Sequence, residues 1–279
     1  MTTNNKSILI TGASSGIGKY TTEILAERGW IVWAGYRNEK DKNELLKIDN
    51  VRPVKLGVTD VGSIVQVKEI IENSKIPLNV LFNNAGIAVG GPIEMLDIED
   101  IKKVYDVNVF GYVRMIQNFL PLLRQSSGRI INMSSMGGLV GVPFLMPYSS
   151  SKFAIEGISD SLRRELYNQN IQISVIEPGP IKTSIWKKSL ENSDAVFNFD
   201  NKILKLYQPA VKNLNSLIKN NNDFAVSLNK LKKVIIHASE SSYPKTRYLV
   251  YKNNFLLKVL IKITPDKLTD LFFRKYLKY

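Results

Sequence analysis

The chain has 279 residues, 44% apolar and 23% charged, a balance that supports a sizeable packed core and argues against disorder. It has no cysteine and a single histidine, His237, which excludes a disulfide framework and speaks against a protein-held transition metal, so no metal site is expected. The net charge of +13 is uneven, since the stretch from Asn229 to Tyr279 carries 12 Lys/Arg against 3 Asp/Glu.

Taken in order, the polar start Met1–Lys6 has no signal-peptide core. Ser7–Ile10 is a short apolar run suited to a buried parallel strand. It leads into Thr11-Gly12-Ala-Ser14-Ser15-Gly16-Ile17-Gly18 and then a helical pattern from about Lys19 to Arg28, stopped by Gly29. Strand, glycine-rich turn and helix make the first unit of a dinucleotide-binding fold, in which the glycines let the backbone approach a pyrophosphate at a helix N-terminus. Trp30–Ala34 reads as the second strand. Just past it, where an acid would bind a ribose 2'-hydroxyl and a base a 2'-phosphate, stands Gly35-Tyr36-Arg37. With no carboxylate there, Arg37 favours NADP(H) over NAD(H); an exposed loop arginine is the plainer alternative.

Val54–Asp60 gives a third short strand, followed by a helix from Val61 to Asn73. Val80–Phe82 is the fourth strand and ends in Asn83-Asn84-Ala85-Gly86. A long helix from Ile98 to Arg124 carries Asn108 in an apolar segment, where a polar amide needs a hydrogen-bonding reason: a cap, a kink or a water relay. Gly128–Ser135 is the fifth strand, with serines at the end where open α/β sheets bind ligands. After a glycine-rich loop, a helix entered through Pro147 runs to about Asn168. Its first turn carries Tyr148-Ser-Ser-Ser-Lys152, a phenol and an ammonium on one helix face. A cation close to a phenol favours the phenolate, so Lys152 is expected to lower the Tyr148 pKa from about 10 towards a value useful in proton transfer. Ile171–Ile176 is the sixth strand, closed by Pro178-Gly179-Pro-Ile181-Lys-Thr183. Strands alternating with helices predict an α/β fold: one doubly wound Rossmann-type domain with a parallel sheet of about seven strands and a helical lid near the C-terminus.

The motifs from Thr11 to Thr183 (Thr-Gly-x-x-x-Gly-x-Gly, Asn-Asn-Ala-Gly, Asn108, Ser135, Tyr-x-x-x-Lys, Pro-Gly) resemble those of the short-chain dehydrogenase/reductase family in order and spacing. The resemblance implies an enzyme acting on CH-OH groups with NAD(P) as acceptor. Tyr148 would be its general acid/base, and Ser135 would bind the same substrate oxygen. Lys152 would hold the nicotinamide ribose, and Asn108 would help place a water linking Lys152 to solvent. The cofactor-binding set it implies is Gly12, Ser14, Ser15, Gly16, Ile17, Gly18, Arg37, Val58, Asn84, Ala85, Gly86, Tyr148, Lys152, Pro178, Gly179, Ile181 and Thr183. One departure is Gly57, where many members carry an acid beside the adenine; the backbone of Val58 is left to bind the adenine edge. Asn108–Arg114, Phe119–Leu123 and Tyr243–Tyr248 resemble the branch acting on lipophilic substrates, with hydroxysteroid and retinol dehydrogenases and acyl-dihydroxyacetone-phosphate reductases.

A single domain over residues 1–279 is expected, with a core at 7–183, a substrate lid at 184–228 and a basic extension at 229–279. Ile185, Trp186 and a helix from Ile203 to Ile218 with Leu204, Tyr207, Val211, Leu214 and Leu217 would form the lid, although an apolar stripe of this kind also suits a core. Phe255–Ile263 and, capped by Thr264 ahead of Pro265, a segment with Leu268, Leu271 and Phe272 read as two short amphipathic helices. They would pack at a subunit interface or beside the substrate mouth, or lie on an anionic membrane; the basic charge equally suits a plain solvated surface. No apolar run approaches the ~20 residues of a membrane span, so a cytoplasmic protein is expected, peripheral to a membrane at most. A homodimer or homotetramer is expected, and no nucleic-acid module is recognisable. The alternative to an enzyme is a regulator or scaffold that binds NADPH without catalysis.

Overall fold

The computed structural model describes residues 6–181, 205–210, 213, 226, 228–251 and 263–277. Among them run β1 (Ser7–Ile10), α1 (Gly16–Glu27), β2 (Ile31–Tyr36), α2 (Glu39–Leu45), β3 (Val51–Lys55), α3 (Val61–Ser74) and β4 (Leu78–Asn83). There follow α4 (Ile98–Tyr105), α5 (Gly111–Gln125), β5 (Arg129–Met133), α6 (Met146–Glu165), β6 (Gln172–Pro178), α7 (Leu228–Glu240), β7 (Arg247–Val250) and α8 (Asp266–Leu277). The strands form one parallel seven-stranded sheet in the order β3-β2-β1-β4-β5-β6-β7. The chain builds outward from β1 to β3, then crosses back to lay β4 on the other side of β1. That reversal opens a crevice beyond the carboxyl ends of β1 and β4, the place where open α/β sheets take ligands.

Both faces of the sheet are covered, and alternation along the strands divides the core. Ile8 and Ile10 of β1 point to one face, with Ile24 and Leu25 of α1 and Leu231, Ile235 and Ala238 of α7. Leu9 points to the other, with Ile64, Val67 and Ile71 of α3 and Met115, Ile116 and Phe119 of α5. Pro53 sits in β3, the edge strand, where its missing N–H costs no interior hydrogen bond. The Asp60 carboxylate caps α3 by accepting from the Ser63 amide at 3.2 Å.

Among the described residues the expected elements are present with shifted ends. α1 starts at Gly16 rather than Lys19, β2 runs on to Tyr36, and β3 lies at Val51–Lys55, earlier than the stretch read as strand. The single long helix expected from Ile98 is α4 and α5 joined through a π-turn at Asp106–Phe110. α8 begins after Pro265, whose carbonyl accepts from Leu268 and Thr269, so Thr264 is one residue too early to cap it. Residues 228–251, part of the stretch set apart by its charge, supply a core helix and the seventh strand. Of the expected lid, Tyr207 lies in a helical stretch at 205–210, whereas Ile185, Trp186, Leu204, Val211, Leu214 and Leu217 lie outside the described residues, as does 252–262.

Phe119 is fully buried between α5 and the sheet. Replacing it with alanine is expected to cost about 3–5 kcal/mol in a urea titration, and a loss below about 1 kcal/mol would mean that this face is loosely packed.

Candidate active site

The glycine turn is built by close contact. Gly12 (φ 63°) and Gly16 (φ 55°) adopt the left-handed backbone that other residues avoid. A Cβ on Gly18 would fall 2.1 Å from the Gly12 carbonyl oxygen and 2.6 Å from Asn84 Nδ2, so only hydrogen fits there. Ser15 occupies the N-cap of α1 without a side-chain hydrogen bond, which leaves the first-turn amides of Gly16, Ile17 and Gly18 untouched by the cap. The turn is pinned from across the crevice. Thr11 Oγ1 accepts from the amides of Asn84 and Ala85, each at 2.9 Å, and Asn84 Nδ2 donates to the carbonyls of Thr11 (3.0 Å) and Gly12 (3.2 Å). An anion-binding helix end, glycines at the points of close approach and a braced rear wall suit a dinucleotide pyrophosphate.

Asn108 is fully buried in the π-turn, and its reason for being polar is plain. Its Oδ1 accepts from the Ile87 amide at 2.9 Å, while Nδ2 donates to the Ile87 carbonyl at 2.9 Å and to Ser151 Oγ at 3.0 Å. Ser151 in turn donates to the Tyr148 carbonyl at 2.7 Å. One amide therefore ties the loop after β4 to the second turn of α6. π-turns recur at functional sites because they re-aim a side chain within a helix.

The first two turns of α6 carry the phenol and the ammonium. Tyr148 is 9% exposed and Lys152 3%. Lys152 Nζ donates to the Met133 carbonyl at 2.8 Å, at the end of β5, and lies 5.4 Å from the centre of the Tyr112 ring and 5.8 Å from that of Tyr148. Burial pulls the ammonium down from 10.5 to about 8, with the Glu156 carboxylate opposing. Burial also lifts the Tyr148 phenol above its ordinary value of 10.0, and the hydrogen bond with Ser135 draws it back only in part. The expected lowering by Lys152 is not what the structure shows. The ammonium sits over the ring face and turns to a backbone carbonyl, so desolvation governs and the phenol stays protonated at neutral pH.

Ser135 also caps the short 3-10 turn Met136–Gly138, accepting from the Gly137 amide at 3.1 Å. Ser135, Tyr148, Lys152 and Asn108 thus meet beyond the ends of β4 and β5. Ser14 is partly buried in the turn, Ala85 packs against Gly12, and a Cβ on Gly86 would lie 3.7 Å from Lys152 Nζ. Arg37 is exposed directly after β2, and Val58 is buried against Gly111. Pro178 ends β6, the Gly179 amide donates to the Val250 carbonyl at 3.0 Å, and Ile181 is buried. Thr183 lies outside the described residues. A methyl on Gly57 would meet only Asp60 Cβ at 3.5 Å and Ser63 Oγ at 3.9 Å, so its lack of a side chain is not a packing need. Ser151, Tyr112 and the Met133 carbonyl escaped the sequence reading. Ser151 could have been found, three residues from Tyr148 on the same helix face, but a backbone carbonyl leaves no mark in a sequence.

Residues 6–194 match the sequence profile of short chain dehydrogenase, and the chain belongs to that family. It is therefore an oxidoreductase acting on alcohol and keto groups with a nicotinamide dinucleotide. It is 33% identical over 279 residues to the NADPH-dependent 3-dehydrocapnine reductase of Ornithobacterium rhinotracheale, covering 97% of this chain and 96% of that protein. It is 40% identical over 177 residues to the 3-ketodihydrosphingosine reductase of Bacteroides thetaiotaomicron, covering 63% and 64%. The fold is that of a short chain dehydrogenase of Burkholderia cenocepacia solved with NADP, with a TM-score of 0.73 at 22% identity over 96% and 97% of the two chains.

Gly18→Ala tests the glycine turn. The added methyl should weaken dinucleotide binding at least about 10-fold through displacement of the Gly12 carbonyl, as read by fluorescence titration; unchanged affinity would remove the turn from the site.

Proposed function

We propose that the chain is an NADP(H)-dependent oxidoreductase that interconverts a lipophilic ketone or aldehyde with its alcohol. The observation that carries this reading is the buried Tyr148 phenol, raised above its ordinary value by burial, hydrogen-bonded to Ser135 and four residues before the buried Lys152. A neutral phenol in a buried site is set up to give a proton, which suits reduction of a carbonyl. The dinucleotide supplies the hydride. Gly12, Ser14, Ser15, Gly16, Ile17 and Gly18 would hold its pyrophosphate, Arg37 the 2'-phosphate, Val58 the adenine edge, and Asn84, Ala85 and Gly86 the crevice wall. Lys152 would hold the nicotinamide ribose, while Pro178, Gly179, Ile181 and Thr183 would lie against the nicotinamide. Tyr148 Oη delivers a proton to the substrate oxygen and Ser135 orients that oxygen, while the Lys152 ammonium, whose charge does not offset burial of the phenol in the free protein, would favour the phenolate once the proton has left. Both Nδ2 hydrogens of Asn108 and one acceptor site of Oδ1 are taken, so a water it places towards Lys152 would be held by the remaining Oδ1 lone pair or by its backbone.

NADP preference is supported by Arg37 without a competing carboxylate at that strand end, and by a relative named as NADPH-dependent. A lipophilic substrate is supported by a relative named for 3-ketodihydrosphingosine. The division into core, lid at 184–228 and C-terminal extension, a homo-oligomeric state and a cytoplasmic site belong to the same reading. Peripheral membrane contact has one specific observation behind it: Leu268, Leu271 and Phe272 of α8 are about 60% exposed on one helix face beside basic residues.

Tyr148→Phe is expected to bind NADPH normally and to lose about 10²–10⁴-fold in turnover of ketones such as 3-ketodihydrosphingosine, steroid ketones or retinal; full activity would sink the assignment. Arg37→Leu should weaken NADPH about 10- to 100-fold and leave NADH unchanged, whereas equal effects on both would assign the arginine to the loop surface.

A further inference from the structure

The ion-pair cluster behind α6 lies outside the chemistry described so far. Arg247 of β7 reaches three carboxylates: Glu156 Oε2 from Nε at 3.0 Å, Asp160 Oδ1 from Nη1 at 2.9 Å and Glu177 Oε1 from Nε at 3.3 Å. Asp160 has a second cation in Arg163 at 2.9 Å, so Glu156 and Glu177 share the remaining claim on a single guanidinium. Both are buried, Glu177 at 1% exposure and Glu156 at 8%, and Glu156 Oε1 has no hydrogen-bond partner among the described residues. Two buried carboxylates on one cation leave a surplus of negative charge. One turn earlier on the same face of α6 stands Lys152.

The surroundings of Lys152 make that surplus matter. From α5 it faces the neutral Tyr112, from β5 the Met133 carbonyl, and from its own helix Tyr148. Asn108 and Gly86, on the side of the π-turn and the loop after β4, bring no charge. Burial works against the ammonium, and Glu156 is the charge that opposes it. Arg247 meanwhile joins Glu156 to Glu177, the residue before Pro178-Gly179.

We propose that Glu156, anchored by Arg247, is a positioning residue for the reaction, whose buried carboxylate stabilises the ammonium form of Lys152 and so widens the pH range over which the site works. The inference rests on the reading of Tyr148 and Lys152 given above. The sign follows from the charge: activity needs the ammonium, which is lost as pH rises, so removal of the carboxylate moves the alkaline limit downward.

The test is the pH profile of kcat/KM for ketone reduction by the wild-type enzyme, Glu156→Gln and Glu156→Asp, with NADPH affinity and melting temperature measured alongside. Activity of the wild type is expected to fall above about pH 8. Glu156→Gln should lower that midpoint by about half to one pH unit while leaving the rate near pH 6 within about two-fold and NADPH affinity unchanged. Glu156→Asp, which keeps the charge, should recover most of the shift. A uniform loss of rate at every pH with the midpoint in place would overturn the proposal in favour of a purely structural role, and so would equal shifts in the two variants. Tyr148→Phe separates the two readings. If it is active the functional assignment itself fails, and if it is inactive while Glu156→Gln keeps the wild-type midpoint, only the role of Glu156 fails.

Discussion

An ammonium 3% exposed is costly, and the arrangement of the site follows from the need to keep Lys152 both buried and charged. Its strong acceptor is the Met133 carbonyl, which is available because β5 ends there and the chain turns away into the loop before α6. The Tyr112 and Tyr148 rings offer their faces to the cation, a weaker contribution that needs no further polar group. The π-turn places Asn108 where it can fix α6 to the loop after β4, which sets the position of Tyr148 and Lys152 relative to the glycine turn. Loss of that brace would remove the tie at the start of the helix that carries both groups, while Arg247 and Asn132 still hold its later turns.

Sheet topology brings the two halves of the site together. The reversal between β1 and β4 puts the Gly12 turn and the Asn84–Gly86 segment side by side, and Thr11 with Asn84 locks one against the other. On the far side, β6 and β7 extend the sheet so that Arg247 reaches both α6 and the end of β6. A substrate carbonyl at Tyr148 and a nicotinamide near Pro178 would thus be positioned by elements that share one buried ion cluster.

Much of this was legible in the sequence, for identifiable reasons. β1, the glycine turn, α3 and the Tyr148 helix follow from apolar runs, glycine spacing and capping residues, because local physics and the fold agree there. α7 was hidden by charge: Lys230, Lys232 and Lys233 draw attention to a basic surface, while Leu231, Ile235 and Ala238 on the opposite face enter the core. β7 is four residues long and begins with an arginine whose partners come from α6 and β6, contacts that no local pattern announces. The spacing of Tyr148 and Lys152 showed that they share a face but not that the ammonium would turn to a backbone carbonyl. The direction of the phenol's shift therefore depended on burial, a tertiary property.

The central claim is that Tyr148 is held as a neutral acid. Its most direct measurement is an ultraviolet titration of the cofactor-free protein, taken as the tyrosinate difference between the wild type and Tyr148→Phe, with folding followed in parallel by circular dichroism. The account predicts that the Tyr148 phenol ionises above its ordinary value of 10.0. A midpoint below that value, in protein that is still folded, would show that the cation dominates over burial and would contradict it.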